Sequence, residues 1–268
     1  MGVKVIVLVV VYNKFLNNSE TINSFAHKKD HFDDFFEEQL IIWDNSVDVT
    51  YREANNKFCE KNNYIYLSAN ENTSLSIVYN KVENSYRYDY LLISDDDSVY
   101  NTRYFEELCQ FIKSNEYVAV PLIYSSKLLR SPAKMGIIVG KHIKNLSSGI
   151  QHGLIAITSG MVISSKLKDV KYPFFDENLS FYGIDTDFFC ALLKLKVPIF
   201  VMDATIEHDL SMYSKKTKLN ESKEKKFFRY QNSKKATIYI NFKRSLLQGF
   251  LAKVYFIIYE IIVKFKLK

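Results

Sequence analysis

The sequence predicts an α/β fold, with a mostly parallel central sheet flanked by helices and a helical extension at the C-terminus. Three observations carry that expectation. Residues 3–11 form an apolar, β-branched run without alternation, the pattern of a strand covered on both faces. Short apolar runs recur at 40–43, 64–67, 91–94 and 117–122, the interval of strand–helix–strand units. The 268 residues are 47% hydrophobic and 25% charged, enough core for one large domain or two small ones.

In chain order, the first run passes directly into Tyr12-Asn13-Lys14, with no small-residue cleavage site, and is too short to span a bilayer. It is expected mid-sheet, with Tyr12 and Asn13 at its exit as groups on which a nucleotide base could stack and hydrogen-bond. Asn18-Ser19 reads as a helix start. His27 and His31 stand four apart, a spacing that can bind metal on a helix, but they have no third ligand, and 27–38 reads as an exposed polar connection. The second strand, 40–43, ends in Asp44-Asn45-Ser46, so polar groups again follow a strand's carboxyl end. A helix over 51–62 and a strand over 64–67 follow. Ser74 is a plausible N-cap for a helix that carries Asn80, a mid-helix amide of the kind usually found at the surface.

The fourth run, Leu91-Leu92-Ile93-Ser94, ends in Asp95-Asp96-Asp97. Three adjacent carboxylates repel one another and cost stability unless a cation neutralises them, as a divalent metal with a phosphate-bearing ligand would. In open α/β sheets that position, outside the strand's carboxyl end, is where ligands bind. The competing reading is an acidic turn that caps the helix over 102–114. The region 123–153 carries four Gly, one Pro and Lys127, Arg130, Lys134, Lys141 and Lys144, and reads as a long irregular loop, either phosphate-binding or simply solvated. Thr158-Ser159-Gly160 precedes the strand 161–163, its Gly suited to close backbone approach. Asp185 falls at or near the N-terminus of a helix that runs to about 196, where capping alone could explain it. His208 follows the strand 199–202 and a further short apolar segment.

Charge divides the chain. From Lys215 onward there are 15 Lys and Arg against 3 Asp and Glu, leaving 21 against 27 before it. A basic tail can serve nucleic acid or an anionic membrane surface. Here 244–268 reads as a helix with a wide apolar face and a narrow stripe of Gly249, Lys253, Glu260, Lys264 and Lys268, which favours lying in a membrane interface over spanning. Packing on the domain or on a second copy is the alternative. Three scattered Cys suggest neither a disulfide framework nor a zinc site, and they fit a reduced, cytosolic setting.

Taken together, Val10-Val11-Tyr12-Asn13, Asp44-Asn45-Ser46, Asn72-x-Ser74-x-Ser76-x-x-x-Asn80, Ser94-Asp95-Asp96-Asp97-Ser98, Thr158-Ser159-Gly160, Asp176-Glu177 running into Tyr182-Gly183-Ile184-Asp185-Thr186-Asp187, and His208-Asp209 resemble the family-two glycosyltransferases of GT-A fold, within them the bacterial rhamnosyltransferase-like branch. The likeness covers about residues 3–235. It implies a Rossmann-like GT-A domain at 1–214, with a nucleotide-binding half at about 1–98 and an acceptor half at about 99–214, followed by a basic helical extension at 215–268.

What the resemblance implies for the site is specific. Asp95-x-Asp97 is then the metal motif, with Asp97, Asp95 and His208 around Mn²⁺ or Mg²⁺. Val11, Tyr12, Asn13, Asp44, Asn45, Asn72, Asn80, Asp95 and Asp96 contact the nucleotide sugar, and Ser159, Gly160 and Asp187 the acceptor. Asp185 is the general base of an inverting transfer. Ile184 stands where the family commonly has an acid, which leaves Asp187 as a rival base, and Ser74 stands where many relatives carry Gly. The implied protein moves a sugar from a dTDP-rhamnose-like or UDP-sugar donor to a glycan or lipid-linked acceptor in bacterial cell-surface polysaccharide synthesis. It works in the cytoplasm at the inner face of the membrane, without nucleic acid, as a monomer or homo-oligomer. A metal-dependent nucleotidyltransferase and a non-catalytic sugar-nucleotide or glycan-binding module are the alternatives.

Overall fold

The computed structural model describes residues 2–26, 36–69, 71–125, 128–208 and 222–266. Its first strand, β1 (Val3–Val11), lies mid-sheet, as its two-sided apolar pattern requires. It runs parallel to both β2 (Phe36–Asp44) and β4 (Tyr90–Asp95), with β3 (Ile65–Ser68) parallel beyond β2. The later strands are β5 (Ser98–Val99), β6 (Val118–Ser125), β7 (Leu128–Ser131), β8 (Ala133–Met135), β9 (Gly140–Lys141), β10 (Gly149–Gln151), β11 (Leu154–Ile155), β12 (Met161–Ser164) and β13 (Ile199–His208). The main sheet has the order β10-β13-β6-β12-β4-β1-β2-β3. β12 runs antiparallel between β4 and β6, and β10 antiparallel beside β13.

Alternation along the strands builds two cores. Ile6, Leu8, Ile41, Trp43, Leu91 and Ile93 point to one face of the sheet, and Val5, Val7, Val9, Ile42 and Leu92 to the other. The first face is covered by α3 (Leu75–Ser85) and α5 (Ile184–Lys194); α2 (Val49–Asn62) and α4 (Thr102–Ser114) lie on the second, through Cys59 and through Tyr104, Phe105, Leu108 and Phe111. The short α1 (Glu20–Ala26) adds Ile22 and Phe25 to that second core.

Two sequence expectations change here. The region 123–153 is not one irregular loop: β8, β9 and β11 form a small three-stranded sheet, and β7 and β10 join the main one. The C-terminal helices are α6 (Lys223–Arg244) and α7 (Leu246–Lys266), and α6 does not stand apart from the body. Ala236 and Ile240, one helical turn apart, are buried in the same apolar cluster as Ile184 and Phe188 of α5. The pair His27 and His31 lies outside the described residues.

Candidate active site

Register fixes the rim. Val11 of β1 pairs with Asp44 of β2, and Val10 with Asp95 of β4, so three strand ends arrive side by side. The turn that follows β4 is held by α1 and the residue before it, from more than seventy residues upstream: Thr21 Oγ1 donates to the Asp95 carbonyl at 2.6 Å, and Ser19 Oγ to the Asp96 carbonyl at 2.8 Å. Both side chains are fully buried. The acidic turn does not cap α4. Asn101 does so, its Oδ1 accepting from Tyr104 N at 3.0 Å.

A cavity of about 790 Å³ opens at this rim. It is lined by Val10, Val11, Tyr12, Asn45 and Asn72 on the side of the parallel strands, with Asp95, Asp96 and Asp97 on its floor and Asp185, Thr186 and Gly183 from the start of α5. Arg130, Met135, Ile138, Val139 and Gly140 close it from the small sheet, and Ser233, Ala236, Thr237, Ile240 and Asn241 from α6. α6 clasps the opposite wall, where Asn241 Nδ2 donates to the Ile138 carbonyl at 2.9 Å and Arg244 to the Ile137 and Gly136 carbonyls. Gly183 lets this helix approach: its φ is +79°, and a Cβ there would stand 2.7 Å from Ile240 Cδ1.

The three adjacent aspartates are not equivalent. Asp95 accepts a hydrogen bond from Ser159 Oγ at 2.5 Å. Asp96 faces Lys14, whose Nζ is 3.4 Å away, yet burial pushes its carboxyl up to about 6 against that pairing. Asp185 sits in the first turn of α5, accepting from Thr186 N at 2.6 Å, and burial raises its pKa, with the charge of Asp95 adding to the shift. The N-cap is Gly183, so Asp185 is not the cap that its position in the sequence suggested.

Several expected contacts are spent elsewhere. Asp44 is wholly buried, and its oxygens accept from Ser46 N, Asn55 Nδ2 and Tyr66 OH; it braces the rim from behind and does not reach the cavity. Asn80 is neither surface filler nor a cavity residue, because its amide bonds both the nitrogen and carbonyl of Phe175 and also Glu177 Oε1, tying α3 to the segment before α5. Ser74 occupies the N-cap of α3 without capping it, turning its hydroxyl to Ser76 and the Ser180 carbonyl. Ser159 and Gly160 are buried behind Asp95 and support it, with the Gly160 carbonyl accepting from Tyr104 OH at 2.7 Å. Asp187, the rival base, is 5% exposed, and Lys243 Nζ stands 2.7 and 2.8 Å from its two carboxylate oxygens, away from the cavity lining. Asn13 is exposed beside the rim with φ +49°, its N–H donated to Ser46 Oγ. His208 ends β13 with its backbone paired to Ser98; its side chain lies outside the described residues, as does Asp209.

Sequence reasoning missed the whole α6 contribution and the aromatic pair Phe181 and Tyr182, the latter already present in the motif around Gly183. Asn45, expected to contact the nucleotide sugar, lines the cavity and is locked by Trp43 Nε1 at 2.9 Å and by Thr73. A divalent ion fits the donor chemistry, since two carboxylates on one turn facing a roomy cavity are the protein's usual share for Mg²⁺ or Mn²⁺, with phosphate oxygens and water completing the shell. Among the described residues, no group of three or more His, Cys, Asp or Glu is arranged to hold a metal by itself.

A family model described as glycosyl transferase family 2 matches residues 6–167. No curated protein matches the chain. Among solved structures, TarS from S. aureus is 16% identical with TM-score 0.56, over 90% of this chain and 39% of that one. GalNAc-T7 with UDP, GalNAc and Mn²⁺ is 10% identical with TM-score 0.61, over 76% and 43%. The mannosyltransferase PcManGT from Pyrobaculum calidifontis, in complex with GDP-Man and Mn²⁺, is 12% identical with TM-score 0.55, over 78% and 57%. The chain therefore spans about two fifths of the length of TarS, and at these identities the likeness is one of fold.

Proposed function

Because the chain belongs to glycosyl transferase family 2 and has the GT-A fold, we propose that it transfers a sugar from a nucleotide-sugar donor to a glycan or lipid-linked acceptor with inversion at the anomeric carbon. The observation that carries this reading is that Asp95 and Asp97 on one turn and Asp185 on a helix nearly ninety residues later line one cavity.

In this reading the donor's base lies against Tyr12 and Asn45 and its sugar beside Asp95. Asp95 and Asp97 would hold Mn²⁺ or Mg²⁺, which supplies charge neutralisation for the departing diphosphate. Asp96 lines the same cavity and is paired with Lys14, whose Nζ stands 3.4 Å from it, which balances part of the turn's charge. Asp185 accepts the proton of the acceptor hydroxyl as that oxygen attacks the anomeric carbon from the face opposite the leaving group. The raised pKa makes the carboxylate a stronger base than an exposed aspartate. Tyr182, Phe181 and the α6 residues Ser233 and Thr237 stand where an acceptor saccharide would enter.

The donors to be screened are dTDP-rhamnose, UDP-sugars and GDP-mannose, by calorimetry with Mn²⁺ and with chelator. Asp97→Ala is expected to abolish the metal-stimulated part of donor binding at an unchanged melting temperature. Equal donor affinity with and without chelator in the unaltered protein would remove the metal from the reading. A product with retained anomeric configuration would remove Asp185 as base.

A further inference from the structure

The C-terminal helix pair leaves most of its apolar surface uncovered. A helix packed on a water-soluble body normally turns its apolar stripe inward and its polar face out. α7 buries only a narrow seam and keeps its wide apolar face outside. Toward α6 it presents a narrow seam of Gly249, Ala252, Phe256 and Glu260. Glu260 accepts from Lys234 Nζ at 2.7 Å and from Tyr230 OH at 3.1 Å, and Gly249 sits so close to Phe242 that a Cβ would come within 2.3 Å of its ring. Those contacts fix the rotation of α7. Outward it shows Leu247, Phe250, Val254, Ile257, Ile258 and Ile261, each about half exposed or more. The stripe that the sequence assigned to solvent is thus partly consumed by α6, and the wide apolar face is what remains.

We propose that this outer face of α7 lies in the headgroup region of an anionic lipid bilayer, parallel to its plane, and that α6 fixes that plane relative to the cavity whose wall it forms. Three features select lipid as the occupant. No described helix is long and apolar enough to cross a membrane, so the face suits lying on one and not spanning it. The chain from Lys215 onward has 15 Lys and Arg against 3 acids, complementary to anionic headgroups. A pairing of two copies would bring together two chains that each carry that excess, a like-charge approach that disfavours a second copy. Because Ala236 and Ile240 of α6 are buried in the body while its other side carries α7, two helices, roughly 20 Å, separate the bilayer-facing residues from the cavity.

The test is partition of the full chain onto vesicles of phosphatidylcholine with about 30% phosphatidylglycerol in low salt. Co-sedimentation is expected, weakened by salt, with at least about a tenfold loss for Val254→Glu/Ile258→Glu/Ile261→Glu. In a second variant, Ile258→Trp, emission is expected to shift to the blue on vesicle addition, against the constant background of the buried Trp43, the chain's single tryptophan. Absence of co-sedimentation and of the blue shift overturns the proposal. So does a stable dimer in buffer that the triple variant splits while vesicles leave it untouched, and binding to pure phosphatidylcholine as tight as to the mixture overturns the anionic preference. The readout involves no sugar transfer, so its failure leaves the transferase reading standing, and the failure of that reading leaves this one standing.

Discussion

Asp185 carries two separable burdens, and a single substitution tells them apart. Its carboxylate accepts a backbone hydrogen bond in the first turn of α5, which asparagine can also do, while burial raises its pKa. A raised folded-state pKa means that this group's stabilising contribution is complete below the unfolded value near 4 and is lost as pH rises through the folded one. Above that folded value the ionised side chain therefore costs stability. Asp185→Asn is expected to keep or slightly raise the melting temperature while turnover falls by roughly 10² to 10⁴. The acid limb of kcat/KM should lie above the ordinary carboxylate range, activity falling as pH drops through it, and should disappear in Asp185→Asn. Near-normal transfer by that variant would return Asp185 to a purely structural role. Lys243 gives the second residue-level expectation. Its Nζ bridges Asp187 and Asp176, and although burial opposes it, Lys243 with Asn178 and Tyr239 holds the Asp176 carboxyl well below its usual range. Lys243→Met leaves the buried Asp187 without that cation and should cost about 2 kcal/mol in urea unfolding, discounted for a lysine that is 41% exposed. Adding Asp187→Asn should recover most of it.

At the scale of elements, the joint between α5 and α6 shapes the site. Gly183→Ala forces a Cβ both into the left-handed region and against Ile240 Cδ1, so a loss of about 2 kcal/mol is expected, with weaker acceptor binding as α6 is pushed outward; stability and donor affinity measured together would expose a merely local effect. The sheet's parallel half was legible in the sequence because each buried run ends abruptly in polar residues, and Tyr12, Asn45, Asp95 and Asp97 were legible for the same reason. Asp44 and Asn80 carry the same outward signal yet face inward. Nothing in the sequence indicates that Asn55 and Tyr66 converge on the first, or that the backbone of Phe175 meets the second. α6 was illegible as a wall because its anchors, Ala236 and Ile240, are two of several apolar and aromatic positions scattered around a lysine-rich helix, with too little periodicity to mark a buried face.

Seen as a whole molecule, the C-terminal pair divides into a structural helix and a surface one. Ending the chain after Ser245 removes a helix packed along α6 and should move the melting temperature by less than about 3 °C, whereas ending it before Lys223 uncovers Ala236 and Ile240, strips Lys243 from Asp187 and should lower it by about 10 °C. Comparable losses from both truncations would mean that α7 supports the body. The antiparallel insertion of β12 between β4 and β6 also sets an order in time. Residues 3–99 can assemble β1 to β4 from neighbours in sequence, but β6, finished by Ser125, pairs only over its last residues with the β7 that follows it, and its longer partners are β12 and β13, which end at Ser164 and His208. During synthesis at roughly ten residues per second, its edge waits several seconds for the strand that completes it, and β4 is left open on one side for as long. The interval in which this protein is most exposed to mispairing with other chains is therefore written into its connectivity, between the making of its acidic turn and the arrival of the strand that closes it.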